Sequence, residues 1–236
     1  MVIITITFCG FDMIFKKKII FIHAPKTGGN SLTHILSKYS NDKITRHMGY
    51  SNKLDTFEVV GKYTKYKHQN LQEYKNKLGK KFYDYKIITI SRNPVDRLLS
   101  IYYMPDFHLH PNWFVRKINH FTKKKFNFFL FSHKFYKYKK PKFNIEVFKN
   151  LVKKQSSQSS FFYIDKKFFK PHFIFKYENY NNEIKKMCKL LDVDYKKIWV
   201  NKSPPKKING LLKKKLKKII LNSAHSEDLK NFGYRI

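Results

Sequence analysis

Three short apolar runs, each followed by a helical spacing of apolar side chains, dominate the hydrophobic pattern of this chain. The runs cover residues 18–23, 86–90 and 172–176, and their β-branched and aromatic content is typical of buried strands. The residues that follow each run recur at the i, i+3, i+4 and i+7 positions that give a helix one apolar face. These positions are Leu32, Ile35, Leu36 and Tyr39, then Val95, Leu98, Leu99 and Tyr102, then Ile184, Met187, Cys188 and Leu191. Strands that alternate with helices predict an α/β fold with a central parallel sheet flanked by helices.

The remaining segments give less regular signals. Asn93 and Pro94 follow the second run and are good residues for the N-cap and the first position of a helix. Residues 211–221 predict a lysine-rich amphipathic helix, for which a solvated face is favoured over membrane binding. Residues 104–142 are rich in aromatics and lysine without a clear period and predict a helical or irregular insertion. Residues 201–207 contain two prolines and predict a loop.

Length and cysteine usage favour one globular domain. The 236 residues fit a single core, and 42% of them are hydrophobic, which is enough to fold without disulfides or a metal. Cys9 and Cys188 are far apart and have neither zinc-ligand spacing nor the pattern of a disulfide framework. We therefore expect one domain over residues 13–236, no metal site, and an N-terminal extension at residues 1–12 whose role the sequence does not define.

The segment before the first run is of uncertain role. Residues 1–15 are apolar enough to suggest a signal peptide, but they lack a basic n-region and contain Asp12. No run of about 18 apolar residues occurs, so we expect no transmembrane segment. Met13 is an alternative start of the chain.

The charge balance is strongly basic. Lysine and arginine total 50 against 16 acidic residues, a formal net charge of +34, which attracts polyanions such as nucleic acid, a membrane surface or an acidic glycan. A compositional bias explains the same number, because 45 of these cations are lysines and only five are arginines. The planar guanidinium suits phosphate better than an ammonium does. Two of the five arginines, Arg92 and Arg97, lie in one short segment after the second run.

A glycine-containing loop after the first strand carries the first candidate chemistry. Residues 24–31 (APKTGGNS) lie between a predicted strand and a predicted helix, where glycines let backbone N–H groups approach an anion at the helix N-terminus. The order differs from the GxxxxGK[ST] loop because Lys26 precedes the glycines. A glycine pair after a strand is often only a turn. Together with Lys26, Thr27 and Ser31, however, it predicts phosphate binding.

Two segments resemble the donor-binding motifs of sulfotransferases that use 3'-phosphoadenosine 5'-phosphosulfate (PAPS). Residues 22–32 (IHAPKTGGNSL) resemble the loop that binds the 5'-phosphosulfate. Residues 91–103 (SRNPVDRLLSIYY) resemble the segment in which an arginine that ends a strand and a serine on the next helix hold the 3'-phosphate. Those positions are Arg92 and Ser100.

The resemblance extends to the carbohydrate branch of that family. The order and separation of the two motifs fit this branch, and residues 67–74 (KHQNLQEY), 173–179 (FIFKYEN) and 228–234 (DLKNFGY) are similar to further segments of it. Asn30 departs from the family, which more often has threonine or another small hydroxyl residue there. The resemblance covers residues 18–235 and implies a single-domain, P-loop-like sulfotransferase fold.

The resemblance also implies a reaction and a donor site. The enzyme would transfer a sulfuryl group from PAPS to a carbohydrate hydroxyl, without a metal, and Lys26 would offset charge on the leaving phosphate oxygen. The donor would also contact backbone and hydroxyl groups of Thr27, Gly28, Gly29, Asn30 and Ser31. Arg92 and Ser100 would bind its 3'-phosphate.

A histidine is the expected base, because its ordinary pKa lets it accept a proton near neutral pH. The resemblance places His68 near the acceptor, where it acts either as the base or in a structural or substrate-contact role. His47 is the second candidate, and His23 is expected to support the loop by packing. By analogy with a glutamine in the family, Gln158 would shape the acceptor cleft.

Two other functions compete with this interpretation. A variant P-loop nucleotide kinase would need a strand ending in Asp or Glu for magnesium, whereas the second strand ends in Ser-Arg-Asn. A basic nucleic-acid-binding protein fits the charge and the aromatics but leaves both motifs unexplained. We expect a carbohydrate acceptor, which the charge allows to be acidic, and no specific nucleic acid. We also expect a microbial or viral enzyme of the cytoplasm rather than of the Golgi lumen; the sequence does not define the sugar or the oligomeric state.

Overall fold

The computed structural model of the protein describes most of the chain. The described residues are 14–15, 18–46, 57–103, 142–195 and 209–235. The N-terminal extension, His47, the predicted loop at 201–207 and most of the predicted insertion at 104–142 lie outside them.

The chain divides into two compact units. The first unit is drawn from Met1–His47, Leu54–Arg92 and Gln158–Lys202. The second is drawn from Met48–Lys53, Asn93–Ser157 and Ser203–Ile236. The prediction of one domain over residues 13–236 stays a prediction.

Strands and helices alternate over the described residues. The strands are β1 (Ile14–Phe15), β2 (Ile19–Ile22), β3 (Lys43–Arg46), β4 (Phe57–Val60), β5 (Lys86–Ser91), β6 (Tyr163–Ile164), β7 (Lys167–Phe168) and β8 (Phe173–Lys176). The α-helices are α1 (Gly29–Leu36), α2 (Leu71–Leu78), α3 (Pro94–Tyr102), α4 (Ile145–Lys154), α5 (Tyr180–Leu191), α6 (Gly210–Leu221) and α7 (Ser226–Asn231).

A four-stranded sheet in the order β1-β2-β5-β8 forms the centre of the first unit. Strands β2, β5 and β8 are parallel, with Ile20 opposite Ile87 and Ile88 opposite Phe173. Strand β1 is antiparallel to β2. The predicted α/β fold with a central parallel sheet is therefore confirmed. Because the three parallel strands end at the same edge, the loops that follow β2, β5 and β8 meet there, where ligands bind in open α/β sheets.

Helices α1 and α5 pack on one face of this sheet, as their apolar spacing predicts. Leu32 and Leu36 of α1 and Met187 of α5 are fully buried in the same cluster as Ile88 of β5. Tyr39 is the exception, because α1 ends at Leu36 and a 3₁₀ turn, Ser37–Tyr39, follows it. The Ser37 hydroxyl donates to the His34 carbonyl, a local bond that competes with continuation of the helix.

The second unit is helical in the described residues. Helices α3, α4, α6 and α7 bury a common core that includes Leu98, Tyr102, Phe148 and Leu216. At the start of α3, the Asn93 side chain accepts a hydrogen bond from the Val95 N–H, and Pro94 occupies the first turn, as predicted. The lysine-rich helix predicted at 211–221 is confirmed as α6.

Arg97 lies inside this second unit. Its side chain is almost fully buried, and its Nη2 donates to the Ser156 carbonyl at 2.9 Å. Among the described residues, no helix has both the length and the apolar character needed to cross a bilayer.

Candidate functional site

The loop after β2 leads directly into α1 and leaves the start of this helix without a side-chain cap. The N-cap residue is Gly28, whose φ of 91° is in the left-handed region that glycine adopts at little cost. Four other helices begin at asparagines that accept a hydrogen bond from the first turn: Asn70, Asn93, Asn144 and Asn209. The positive end of the α1 dipole therefore lies at this glycine-containing loop.

Two tyrosines that follow β8 hold Gly28 in place. A Cβ at Gly28 would lie 2.7 Å from the Tyr177 ring, so a larger residue does not fit. The Tyr180 hydroxyl donates to the Gly28 carbonyl at 2.8 Å and is also hydrogen-bonded to Ser31. Burial raises the pKa of Tyr180 to about 12, so its hydroxyl keeps the proton that it donates.

Gly29 is in contact with a buried histidine. A Cβ at Gly29 would lie 2.2 Å from Cδ2 of His23. The Thr33 hydroxyl donates to the Gly29 carbonyl at 2.9 Å and lies 3.4 Å from Nδ1 of His23. The pKa of His23 is held well below its usual value, mainly by burial and to a smaller extent by the nearby His68 and Lys67. The ring is therefore neutral. His23 thus packs beneath the loop, which is the role that the sequence predicts.

We expect Gly29→Ala to lower the free energy of unfolding by about 2–4 kcal/mol, because the new methyl group overlaps a ring that is itself buried. Urea unfolding followed by circular dichroism measures this. Gly210→Ala is the matched control, since Gly210 is also the first residue of a helix but a Cβ there meets nothing within 4 Å. Equal stability of the two variants would contradict the close packing of His23 on Gly29.

His68 is oriented by the backbone of His23. Its Nδ1 lies 2.7 Å from the His23 carbonyl oxygen, which can only accept a hydrogen bond. Nδ1 therefore carries the proton, and in the neutral ring Nε2 holds the lone pair. The two rings meet edge to face with their centroids 4.6 Å apart. This tautomer is the one required of a base that takes a proton at Nε2.

The segment that carries His68 is firmly built. Gln69 is buried, and its Oε1 accepts from the Lys65 N–H at 2.8 Å while its Nε2 donates to the Tyr63 carbonyl at 2.7 Å. Asn70 then caps α2 through a reciprocal capping box. These bonds fix the backbone on both sides of His68.

Arg92, the residue after β5, reaches the same loop. Its guanidinium carbon lies 4.1 Å from the centre of the Tyr177 ring, and its Nη1 donates to the Lys26 carbonyl at 3.3 Å. Its Nε is buried and has no hydrogen-bond partner among the described residues. Buried N–H groups are nearly always paired, so this one is an exception among the described residues.

Gln158 is buried, and its side-chain amide bonds to the backbone of Arg92. Its predicted part in shaping an acceptor cleft stays a prediction. Its Oε1 accepts from the Arg92 N–H at 2.8 Å, and its Nε2 donates to the Arg92 carbonyl at 2.7 Å. Both polar ends of the amide are thus bonded to one residue.

The structure brings together some, but not all, of the other residues predicted to bind the donor. Lys26 and Gly28 lie in the loop that Arg92 and Tyr177 contact. The Thr27 hydroxyl donates to the Ala24 carbonyl at 2.8 Å, so its proton is used within the loop. Ser100 lies on α3, in the second unit, and its joint role with Arg92 stays a prediction.

Sequence reasoning missed Tyr177 and Tyr180 as partners of the loop. The sequence does contain a signal for this contact. Tyr177 directly follows the third parallel strand, so it lies at the edge of the sheet where the loops after β2 and β5 begin.

The parallel sheet, the glycine-containing loop and the arginine at the end of the neighbouring strand define a P-loop-like α/β enzyme. The model of the sulfotransferase family matches residues 10–231, so the chain belongs to that family and is a sulfotransferase. No curated protein and no solved structure shows significant similarity to it. The predicted enzyme class is therefore confirmed.

Proposed function

We propose that this sulfotransferase takes its sulfuryl group from PAPS and transfers it to a hydroxyl of a carbohydrate. The observation that carries the donor assignment is Arg92, a planar cation stacked on Tyr177 with a buried Nε that lacks a partner in the described part of the chain. A forked donor of this kind suits a phosphate group. In PAPS, that group is the 3'-phosphate.

The loop supplies the second half of the donor site. The uncapped start of α1 favours the negative 5'-phosphosulfate, and Lys26 adds a full positive charge close to it. Lys26 has a φ of 66°, in the left-handed region that residues with a Cβ rarely adopt.

The reaction then needs few protein groups. The acceptor oxygen forms a bond to sulfur while the bond from sulfur to the 5'-phosphate oxygen breaks, and the electron pair of that bond leaves with 3'-phosphoadenosine 5'-phosphate (PAP). The transition state is loose, so the enzyme acts mainly by positioning and by charge. Lys26 offsets the charge that grows on the leaving oxygen, and Nε2 of His68 takes the acceptor proton.

The buried neutral His23 helps to assign the base. Its lowered pKa keeps it uncharged beside His68, so it does not oppose the positive charge that His68 gains on accepting a proton.

The expectations that no metal takes part and that the enzyme acts in the cytoplasm stay predictions.

The acceptor is the less constrained half of the proposal. The segment that carries His68 also contains Lys62, Lys65 and Lys67, and the whole chain has a formal net charge of +34. Such a field attracts anions. An acidic carbohydrate therefore fits better than a neutral one.

We expect PAP to raise the melting temperature of the protein and AMP to raise it much less, because only PAP carries the 3'-phosphate. Arg92→Ala should weaken PAP binding by about 10- to 100-fold and leave AMP binding nearly unchanged, as expected for the loss of a charge-assisted hydrogen bond. Thermal unfolding with PAP, AMP and ATP measures both effects.

Arg235→Ala is the control, because Arg235 is an exposed arginine outside the proposed site. Equal shifts with PAP and AMP in the unaltered protein would overturn the PAPS proposal. Tight, salt-dependent binding of generic DNA with no nucleotide preference would then favour a nucleic-acid partner.

A further inference from the structure

Arg92 is the first residue beyond the hydrogen-bonded part of β5. The pairing of β5 with β2 ends at Thr89, opposite Ile22, and its pairing with β8 ends at Ser91, opposite Lys176. Neither neighbouring strand therefore continues the ladder to Arg92. A residue at the end of a strand is normally free to move unless another group fixes its backbone.

The side chain of Gln158 fixes that backbone in the way a neighbouring strand would. One amide group accepts from the Arg92 N–H at 2.8 Å and donates to the Arg92 carbonyl at 2.7 Å. Gln158 is 1% exposed, so water does not compete strongly with these bonds. A glutamate could not donate to the carbonyl, and an asparagine is one methylene shorter, so glutamine fits both bonds best.

The opposite end of Arg92 is also fixed. The guanidinium lies over the face of Tyr177 and donates to the Lys26 carbonyl. With its backbone bonded to Gln158 and its head group held against Tyr177, the side chain has little freedom left. Its buried Nε is consequently held in one place before a ligand arrives. Preorganisation of this kind increases affinity because less ordering remains to be done on binding.

We propose that Gln158 is a positioning residue that orients Arg92 toward the 3'-phosphate and thereby sets the preference of the enzyme for a 3'-phosphorylated donor. The inference rests on the proposed function, since it takes the ligand of Arg92 to be that phosphate. Gln158 acts through Arg92. Its loss should therefore affect the affinity for PAP far more than the affinity for AMP.

Isothermal titration calorimetry with PAP and AMP tests this on the full chain. Gln158→Met removes both hydrogen bonds at similar volume, and Gln158→Asn keeps the amide but shortens its reach. In both variants we expect the ratio of the AMP Kd to the PAP Kd to fall about tenfold, because a misplaced contact group loses much of its effect. The Kd for AMP should stay within about twofold.

Gln155→Met is the matched control, because Gln155 is a glutamine only three residues earlier in the chain, at the C-terminal end of α4, and its loss should leave the ratio unchanged. An unchanged ratio in both Gln158 variants, with the ratio lost in Arg92→Ala, would overturn the inference and leave the PAPS proposal standing. Failure of both variants to fold would also overturn it, since Gln158 would then serve stability. If the unaltered protein shows no preference for PAP, it is the proposed function that fails.

Discussion

His68→Ala should slow sulfuryl transfer by about 10²- to 10⁴-fold, the usual contribution of a general base. The hydrogen bond from Nδ1 of His68 to the His23 carbonyl leaves the lone pair on Nε2, and alanine has no group to replace it. The PAP affinity should change little, because the base acts on the acceptor. Transfer from radiolabelled PAPS to a panel of acidic and neutral polysaccharides measures the rate, and calorimetry with PAP measures the affinity.

The same role predicts a loss of rate in acid, where a protonated His68 no longer accepts the proton. A second effect must be separated from it. Because the pKa of His23 is lowered in the folded protein, the unfolded chain binds more protons below about pH 6.5, and the fold loses stability as the pH falls through that range. Circular dichroism at each pH identifies the range in which the enzyme is still folded.

His34→Ala provides the comparison for His68→Ala. His34 is a half-buried histidine on α1 that packs against Phe57 and has no role in the proposed reaction. The His34→Ala enzyme should retain most of the transfer rate of the unaltered enzyme. A His68→Ala enzyme that keeps its rate and its pH profile would remove His68 from the mechanism and direct attention to His47.

Lys26→Ala should reduce the transfer rate by about 10²- to 10³-fold. This is the usual effect of removing one group that stabilises developing negative charge. Lys26→Gly should be equally inactive but more stable than Lys26→Ala by about 1 kcal/mol. The reason is that the φ of 66° at this position is strained for any residue with a Cβ and relaxed for glycine. Urea unfolding and radiolabel transfer separate the two effects.

Lys166 is a matched control for this experiment. It is an exposed lysine with a φ of 65°, in the turn between β6 and β7. Lys166→Gly should be more stable than Lys166→Ala, just as Lys26→Gly is expected to be more stable than Lys26→Ala. Both Lys166 variants should keep the activity of the unaltered enzyme. If Lys26→Ala transfers sulfuryl groups at the normal rate, the ammonium group is not needed for the chemistry.

Many of the strands and helices could be predicted because both leave periodic patterns in the sequence. Val95, Leu98 and Leu99 are buried as their spacing predicts, and Asn93 caps α3 as its position predicts. The prediction that Tyr39 continues the apolar face of α1 was wrong, because the Ser37 hydroxyl competes with the last turn of the helix. The spacing of apolar residues gives no information about such a side-chain bond.

The contacts within the site could not be predicted in the same way. Gln158 and Arg92 are 66 residues apart, and Tyr180 and Gly28 are 152 residues apart. A periodic pattern shows which face of an element is buried, but not which distant side chain meets it. A glutamine in a polar segment gives no sign that it will bond to the backbone of an arginine at the end of another strand.

The stacking of Arg92 on Tyr177 distinguishes this position from most other cations of the chain, since 45 of the 50 lysines and arginines are lysines. An ammonium group has neither the flat face that lies on Tyr177 nor the forked N–H groups. Arg97, buried and bonded to the Ser156 carbonyl, depends on the same forked head group. At these two positions a lysine would keep the charge but lose the shape that makes the contacts.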